Sequence, residues 1–186
     1  MLSVCACGKN TSIVKESNTA KYELTDILNN KISFTDESGK SVYLKNYRSE
    51  KYPDLQIAPE KYAIIDLDND GTNELVLYAS PDFGLYLVFH EYNGVIYSFE
   101  FAERAMIDLK QDGSFIQSSG AGINSYAVLK FDKNTYKIIE EAYRDDDLQT
   151  YRIDGNECSL NDINDFITSF NNKTSVEWSV KNINNN

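Results

Sequence analysis

The segment Asp66–Glu74, "DLDNDGTNE", carries the clearest chemical signal in the sequence. Carboxylates occupy its first, third, fifth and ninth positions: Asp66, Asp68, Asp70 and Glu74. Alternate carboxylates on a tight loop converge on one point, and Ca²⁺ takes about six to eight oxygen ligands. Gly71, at the sixth position, permits a sharp turn because it has no Cβ. We therefore predict that these carboxylates and the backbone carbonyl of Thr72 bind one Ca²⁺ ion.

The predicted loop differs from an EF-hand, which has a bidentate glutamate at its twelfth position, because Leu77 stands there. Strand-like sequences also flank it, "YAII" before and "LVLY" after. This combination resembles the DxDxDGxx(D/E) loop of FG-GAP or VCBS-type repeats, which occur in integrin-like propellers and many extracellular bacterial proteins. The resemblance covers roughly residues 62–77 and implies that Glu74 closes the calcium shell.

A propeller would require further copies of this loop. The stretch "DLKQDG" places Asp108, Asp112 and Gly113 in register, but Lys110 takes the third position, where an ammonium group would oppose a metal. We predict an ordinary turn there and a single calcium loop in the chain. The alternative for the first loop is an acidic turn without metal, since Asp, Asn and Gly favour turns. Repulsion between four nearby carboxylates argues against that alternative.

The N-terminal sequence "MLSVCACGKN" resembles the end of a bacterial lipoprotein signal, in which a small residue precedes an acylated cysteine. The resemblance implies that Cys7 carries the lipid and that residues 1–17 are a signal remnant and polar tether. The protein would then be extracytoplasmic and anchored to the bacterial membrane. The basic and long apolar regions of such a signal would lie upstream of Met1. The alternative is a cytosolic protein.

Composition narrows the classes of partner. The chain has 186 residues and a formal net charge of −11, which disfavours nucleic acid because phosphate binding needs clustered Lys and Arg. The same charge disfavours docking on anionic lipid through basic residues. No apolar run is long enough to cross a bilayer. We expect a monomer that meets the membrane only through its lipid anchor and that binds an extracellular glycan or peptide.

Hydrophobic periodicity and turn signals predict an α+β fold: an antiparallel β-meander with a short N-terminal helix and a C-terminal helix. One domain spans residues 18–180, and residues 181–186 form a disordered tail. The first helix spans 18–29 with Asn18 as its N-cap, and the last begins at Ser159. Asn93-Gly94 predicts a tight hairpin. The predicted strands are 62–66, 75–78, 85–92, 95–101, 105–109, 114–117, 125–131, 136–143 and 151–153, after a short hairpin near residues 32–44.

The order of these features resembles uncharacterised exported proteins of clostridial-type Firmicutes, a resemblance that implies localisation and fold but no activity. Our first functional hypothesis is a calcium-binding, cell-surface, non-enzymatic binding or structural module. Its partner would meet the exposed sheet face or loops. Tyr86, His90 and Tyr92 share one face of their strand, and that face could stack on sugars or peptides if it is exposed.

The alternative is an exported hydrolase that acts on glycan or peptide through Glu or Asp side chains. The candidate paired carboxylates are Glu91, Glu100, Glu103, Glu140 and Glu141. His90 is the only histidine, and no G-x-S-x-G motif is present. We therefore expect His90 to be a partly buried polar residue that is dispensable for activity and folding. A third hypothesis is a cytosolic protein whose acidic loop binds no metal.

The lipoprotein resemblance yields a direct test on cells that produce the native protein. We expect metabolic labelling with an alkyne fatty acid to mark the wild-type chain. Cys7→Ser should abolish the label, whereas Cys5→Ser should retain it, because only Cys7 stands at the predicted lipidation position. Mass spectrometry of the labelled N-terminal peptide checks both variants. A label that persists in Cys7→Ser would refute the anchor.

Overall fold

The computed structural model describes residues 23–49, 51–54, 57–80 and 84–180. The predicted tether 1–17 with Cys7, the predicted N-cap Asn18 and the predicted tail 181–186 lie outside these ranges. The described residues build a β-rich α+β fold with two sheets.

The strands and helices follow the chain in this order. The strands are β1 (Phe34–Thr35), β2 (Ser41–Val42), β3 (Pro59–Ile65), β4 (Glu74–Ala79), β5 (Leu85–Tyr92), β6 (Val95–Ala102), β7 (Phe115–Gly120), β8 (Ile123–Asp132), β9 (Thr135–Asp145), β10 (Thr150–Ile153), β11 (Asn156–Glu157) and β12 (Ser179–Val180). The α-helices are α1 (Thr25–Leu28) and α2 (Leu160–Asn171), and short 3₁₀ turns span Leu44–Asn46 and Glu103–Ala105. No helix in the described ranges is long and apolar enough to cross a membrane.

The strands divide into a seven-stranded sheet, ordered β12-β3-β4-β5-β6-β1-β2, and a five-stranded sheet, ordered β11-β10-β9-β8-β7. Most strands adjacent in sequence pair antiparallel, as a meander predicts, but β2 does not pair with β3, β6 with β7 or β11 with β12. In addition, β1 runs parallel to β6 through the pair Thr35–Tyr97. The single meander is therefore wrong at the level of the whole sheet. The reason lies in β4 and β5, whose side chains are buried on both faces, so each face requires its own cover.

Two apolar clusters cover the first sheet. On one face, Leu77, Leu87 and Phe89 pack with Ile27 of α1 and Phe34 of β1. On the other face, the side chains of the first sheet pack against those of the second. Members of this inter-sheet cluster include Val76, Val88, Phe99, Phe101, Phe115, Leu129 and Phe131.

The aromatic face predicted on β5 is part of this inter-sheet core. Tyr86 packs on the cluster, and His90 is 4% exposed and stacks on Phe131 of β8. Two of the three side chains considered for an aromatic binding face on β5 are therefore covered, and only Tyr92, at 37% exposure, remains open to solvent. Alternation correctly placed these side chains on one face, but alternation alone does not reveal that a second sheet covers it.

Turn chemistry predicted the local hairpins well. Asn93 and Gly94 have φ of 53° and 79°, the positive values that a two-residue type I′ turn requires, and they join β5 to β6 as predicted. The predicted strand at 105–109 is wrong. That segment contains the end of a 3₁₀ turn and an isolated bridge between Ile107 and Ile116.

The C-terminal helix is confirmed, and the N-terminal helix is reduced to one described turn, Thr25–Leu28. Ser159 accepts a hydrogen bond from the backbone N–H of Asp162, and the Asp162 carboxylate accepts one from the backbone N–H of Ser159. This reciprocal pair is a capping box. The apolar face of α2, with Ile163 and Phe170 fully buried, packs on Tyr126 and Ala142 of the second sheet.

The capping box predicts a measurable loss of stability. Ser159→Ala removes the acceptor for the Asp162 N–H and should lower the free energy of unfolding by about 1 kcal/mol. Ser169→Ala, at an exposed position of the same helix, is the matched control and should change stability little. Urea denaturation of both variants checks the prediction. Equal midpoints for the two variants would contradict it.

Candidate metal centre

The acidic loop connects β3 to β4 and folds on its own backbone. Asn69 and Gly71 adopt positive φ, 57° and 90°, which reverses the chain in a few residues. The Asp66 carboxylate accepts hydrogen bonds from the backbone N–H groups of Asp70 and Gly71, at 3.1 and 2.9 Å. The loop is therefore held tightly by its first carboxylate, with glycine where the sequence predicted a sharp turn.

Three of the predicted ligands come together. Carboxylate oxygens of Asp66, Asp68 and Glu74 all lie within 4.8 Å of one another. Asp68 and Glu74 are buried, at 4% and 0% exposure, whereas Asp66 is partly exposed. These three oxygens are close enough to hold a metal ion.

The other two predicted ligands stand outside this group. The Asp70 carboxylate accepts a hydrogen bond of 2.7 Å from the backbone N–H of Thr72, and both residues are exposed. Asp70 thus contacts the loop backbone and is not one of the three convergent carboxylates. The carbonyl of Thr72 remains a predicted ligand.

Glu74 is the most deeply buried acid of the site. Its Oε2 accepts a hydrogen bond of 2.9 Å from the backbone N–H of Leu67, and its Oε1 lies 2.9 Å from Nδ1 of His90. Burial raises the pKa of Glu74 above its ordinary value, and nearby Asp68 adds to the rise, although the bonds from His90 and Leu67 oppose it. Since each carboxylate oxygen has two lone pairs, these two bonds leave part of the acceptor capacity of Glu74 unused.

Asp68 joins the loop to the second sheet. Its Oδ1 accepts a bond of 3.2 Å from the Asp70 N–H, and its Oδ2 accepts a bond of 3.1 Å from the backbone N–H of Phe131 on β8. The ammonium group of Lys130 donates to the backbone carbonyl of Asp68. The loop therefore contacts β8 through both the side chain and the main chain of Asp68.

His90 belongs to this site, although sequence reasoning placed it elsewhere. The ring is buried, bonded to Glu74 and stacked on Phe131 with centroids 4.3 Å apart. Leu75 of β4 pairs with Phe89 of β5, so Glu74 and His90 are at the next position of that ladder. A predicted register for the pairing of β4 with β5 could have indicated from the sequence that Glu74 and His90 are neighbours. The expectation that His90 is only partly buried is wrong.

In the second acidic loop, residues 108–113, lysine ammonium groups lie beside the aspartates, whereas carboxylates alone converge in the first loop. Lys110 is 3% exposed and its Nζ lies 2.8 Å from the Asp108 carboxylate, while Nζ of Lys173 lies 2.9 Å from Asp112. Both aspartates are thus neutralised by ammonium groups. This arrangement fits the prediction of an ordinary turn without metal.

The two acidic loops lie against each other. The side-chain amide of Asn69 donates to the backbone carbonyl of Asp112 at 3.1 Å. Gly113 has φ of 81°, and a Cβ at that position would overlap the backbone carbonyl of Leu67. Glycine is therefore required for the contact as well as for the backbone conformation.

The carboxylates of the hydrolase hypothesis are divided between the two sheets and a 3₁₀ turn: Glu91 is on β5, Glu100 on β6, Glu103 in the turn, and Glu140 and Glu141 on β9. Glu100 of β6 is 4% exposed and accepts hydrogen bonds from the hydroxyl groups of Tyr47 and Ser49. Glu140 of β9 is bonded to Ser125 and Arg152. Both acids thus make hydrogen bonds within the fold, and the hydrolase alternative stays a hypothesis.

Comparisons with protein-family models, with curated proteins and with solved structures find no match to this chain.

The two roles of Asp68 lead to a prediction that requires no metal. In excess EDTA, Asp68→Ala should lower the free energy of unfolding by about 1–3 kcal/mol, because the partly buried N–H of Phe131 loses its acceptor. Asp70→Ala is the matched control: it removes an exposed carboxylate two positions away and should cost less. Urea denaturation monitored by tyrosine and tryptophan fluorescence compares the two variants. Equal costs would show that the bond between the sheets is unimportant.

Proposed function

We propose that the loop 66–74 binds Ca²⁺ and that the protein is a cell-surface, non-enzymatic binding or structural module. The convergence of Asp66, Asp68 and Glu74 within 4.8 Å carries the proposal. The donor set favours a hard cation, because all three side chains offer oxygen and none offers nitrogen or sulfur. Glu74, Asp68 and Asp66 are the core ligands, and Asp70 and Thr72 complete the proposed set.

A cation can reach the loop from solvent at Asp66. This side chain borders an open groove of about 560 Å³ beside β3, which Gln111, Val176 and Glu177 also line. Asp68 and Glu74 form the buried side of the site, and Asp66 forms its solvent side. A calcium ion in this position could also coordinate water or another oxygen donor on its solvent-exposed side.

Calcium would act here chiefly on stability. Close, buried carboxylates repel one another, and a divalent cation removes that repulsion. The same ion would fix Asp68, whose second oxygen bonds to β8 of the other sheet. Calcium binding would therefore stabilise the contact between the acidic loop and β8 of the second sheet. Surface location rests on the lipoprotein-like segment around Cys7 and on the resemblance to extracellular calcium loops.

Thermal unfolding tests the proposal. Extracellular calcium modules have dissociation constants of about 10⁻⁴–10⁻³ M. At about a hundred times the dissociation constant, binding to the folded state stabilises it by roughly 2.7 kcal/mol. About 10 mM CaCl₂ is about ten to a hundred times these constants, so we expect the melting temperature there to exceed that in EDTA by about 3–10 °C.

A charge-matched pair of variants identifies the site. Asp66→Asn removes one ligand charge at the solvent side of the loop and should abolish most of the calcium-dependent shift. Asp147→Asn removes the same charge from an exposed turn of the second sheet and should retain the full shift. Calorimetric titration with CaCl₂ then gives the stoichiometry. No calcium-dependent shift in the wild type would refute the proposed metal site.

A further inference from the structure

The hairpin formed by β8 and β9 extends past its neighbours in the second sheet. β7 pairs with β8 only as far as Ala127, and β10 pairs with β9 only between Ala142 and Asp145. Residues 128–132 and 135–140 therefore have a neighbouring strand on one side only. Each half of the hairpin has a free edge, where backbone N–H and C=O groups require other partners.

Side chains of the protein close comparable edges elsewhere. On β8, the N–H of Phe131 donates to Asp68 of the acidic loop. On β6, the N–H of Glu100 donates to the Glu37 carboxylate at 3.4 Å, and the ammonium group of Lys51 donates to the Glu100 carbonyl at 3.3 Å. Such blocking contacts prevent unwanted strand pairing.

No side chain of the described residues closes the edge of β9 at 135–140 in this way. Within the described ranges, the main chain of these residues is hydrogen-bonded only to β8. Ile138 and Ile139 are 39% and 43% exposed on this stretch. An open ladder beside exposed isoleucines is the kind of edge to which an extended peptide adds as a strand.

Lys137 is the only cation of the stretch 135–140, and none of the described ion pairs includes it, whereas Glu140 is already paired with Arg152. Lys137 lies directly opposite Lys130 in the ladder, and Lys133 is exposed in the turn between the strands. Lys130 donates to the carbonyl of Asp68, so Lys137 is the cation that remains available to a partner at this edge. An anion beside Lys137 would pair with it, whereas the net charge of −11 disfavours acidic partners over most of the remaining surface.

We propose that residues 135–140 bind an extended segment of a partner polypeptide as an additional strand. Because Lys137 and Ile139 project from the same face of β9, the segment carries an acidic residue opposite Lys137 and an aliphatic residue two positions away, opposite Ile139. The inference names a partner class for the proposed binding module. It depends on that role but not on calcium.

Peptide selection tests the proposal with a defined probe. Random heptapeptides displayed on phage are selected against the folded wild-type protein and, in parallel, against Lys137→Glu. We expect the wild type to enrich peptides with Asp or Glu two positions from Val, Ile or Leu. Lys137→Glu should enrich Lys or Arg at the acidic position. Enrichment of one motif by both proteins, or of none, would overturn the proposal.

Fluorescence anisotropy with an enriched peptide then locates the binding edge. Ile139→Lys should weaken binding by about tenfold or more, since it puts a charge in the contact. Leu148→Lys adds the same charge at a turn residue that is 75% exposed and should bind as the wild type does. Melting curves confirm that both variants are folded. Equal loss in both variants, or none in either, would overturn the assignment to β9.

Two further measurements separate this proposal from its alternatives. Sedimentation of the free protein should give a monomer, and a dimer in which residues 135–140 are protected from hydrogen exchange would assign the edge to a second copy instead. Peptide binding is also measured in CaCl₂ and in EDTA. Binding in both conditions supports the β9 proposal even if the calcium titration fails. Calcium binding without peptide binding refutes only the β9 proposal.

Discussion

At this end of the molecule, the arrangement of the two sheets depends on the hydrogen bonds of the Asp68 carboxylate, which connect the acidic loop to β8. One oxygen of this carboxylate bonds within the acidic loop and the other bonds to the main chain of β8. Lys130 adds a bond to the backbone of the same residue. A buried acid in this position must be satisfied by hydrogen bonds or by a cation, because an unpaired buried charge is costly. The metal proposal and the packing of the sheets thus meet in one side chain.

Two facing loops balance their charge by different means. The loop at 108–113 has an ammonium group within 3 Å of each aspartate, whereas no described salt bridge reaches Asp66, Asp68 or Asp70. In the first loop, backbone N–H groups and His90 surround the acids, and these donors partly offset the negative charge. A cation shared by the acids would complete that balance, as the lysines do in the neighbouring loop.

Local sequence signals predicted local structure because turns and alternation act over a few residues. Leu85–Tyr92 matches its predicted bounds, and Asn93-Gly94 forms the expected turn. The division into two sheets was not predictable in the same way, since it depends on which faces of distant strands meet. Nothing near Asp68 in sequence indicates its bond to Phe131.

The candidate site was predictable to the same extent. The spacing of the carboxylates in the segment 66–74 identified Asp66, Asp68 and Glu74, whose oxygens converge. It also identified Asp70, which instead bonds to the loop backbone. His90 entered the site through the pairing of two strands, and a residue-by-residue motif contains no information about a neighbouring strand.

The close approach of Gly113 to the carbonyl of Leu67 has an evolutionary consequence. Any side chain at position 113 would force apart two loops that are far from each other in sequence. In diverging relatives, the length of the acidic loop and the identity of this glycine should therefore change together. A relative that retains the short loop but lacks the glycine would have to separate the loops, and with them the first sheet from the turn at Asp112.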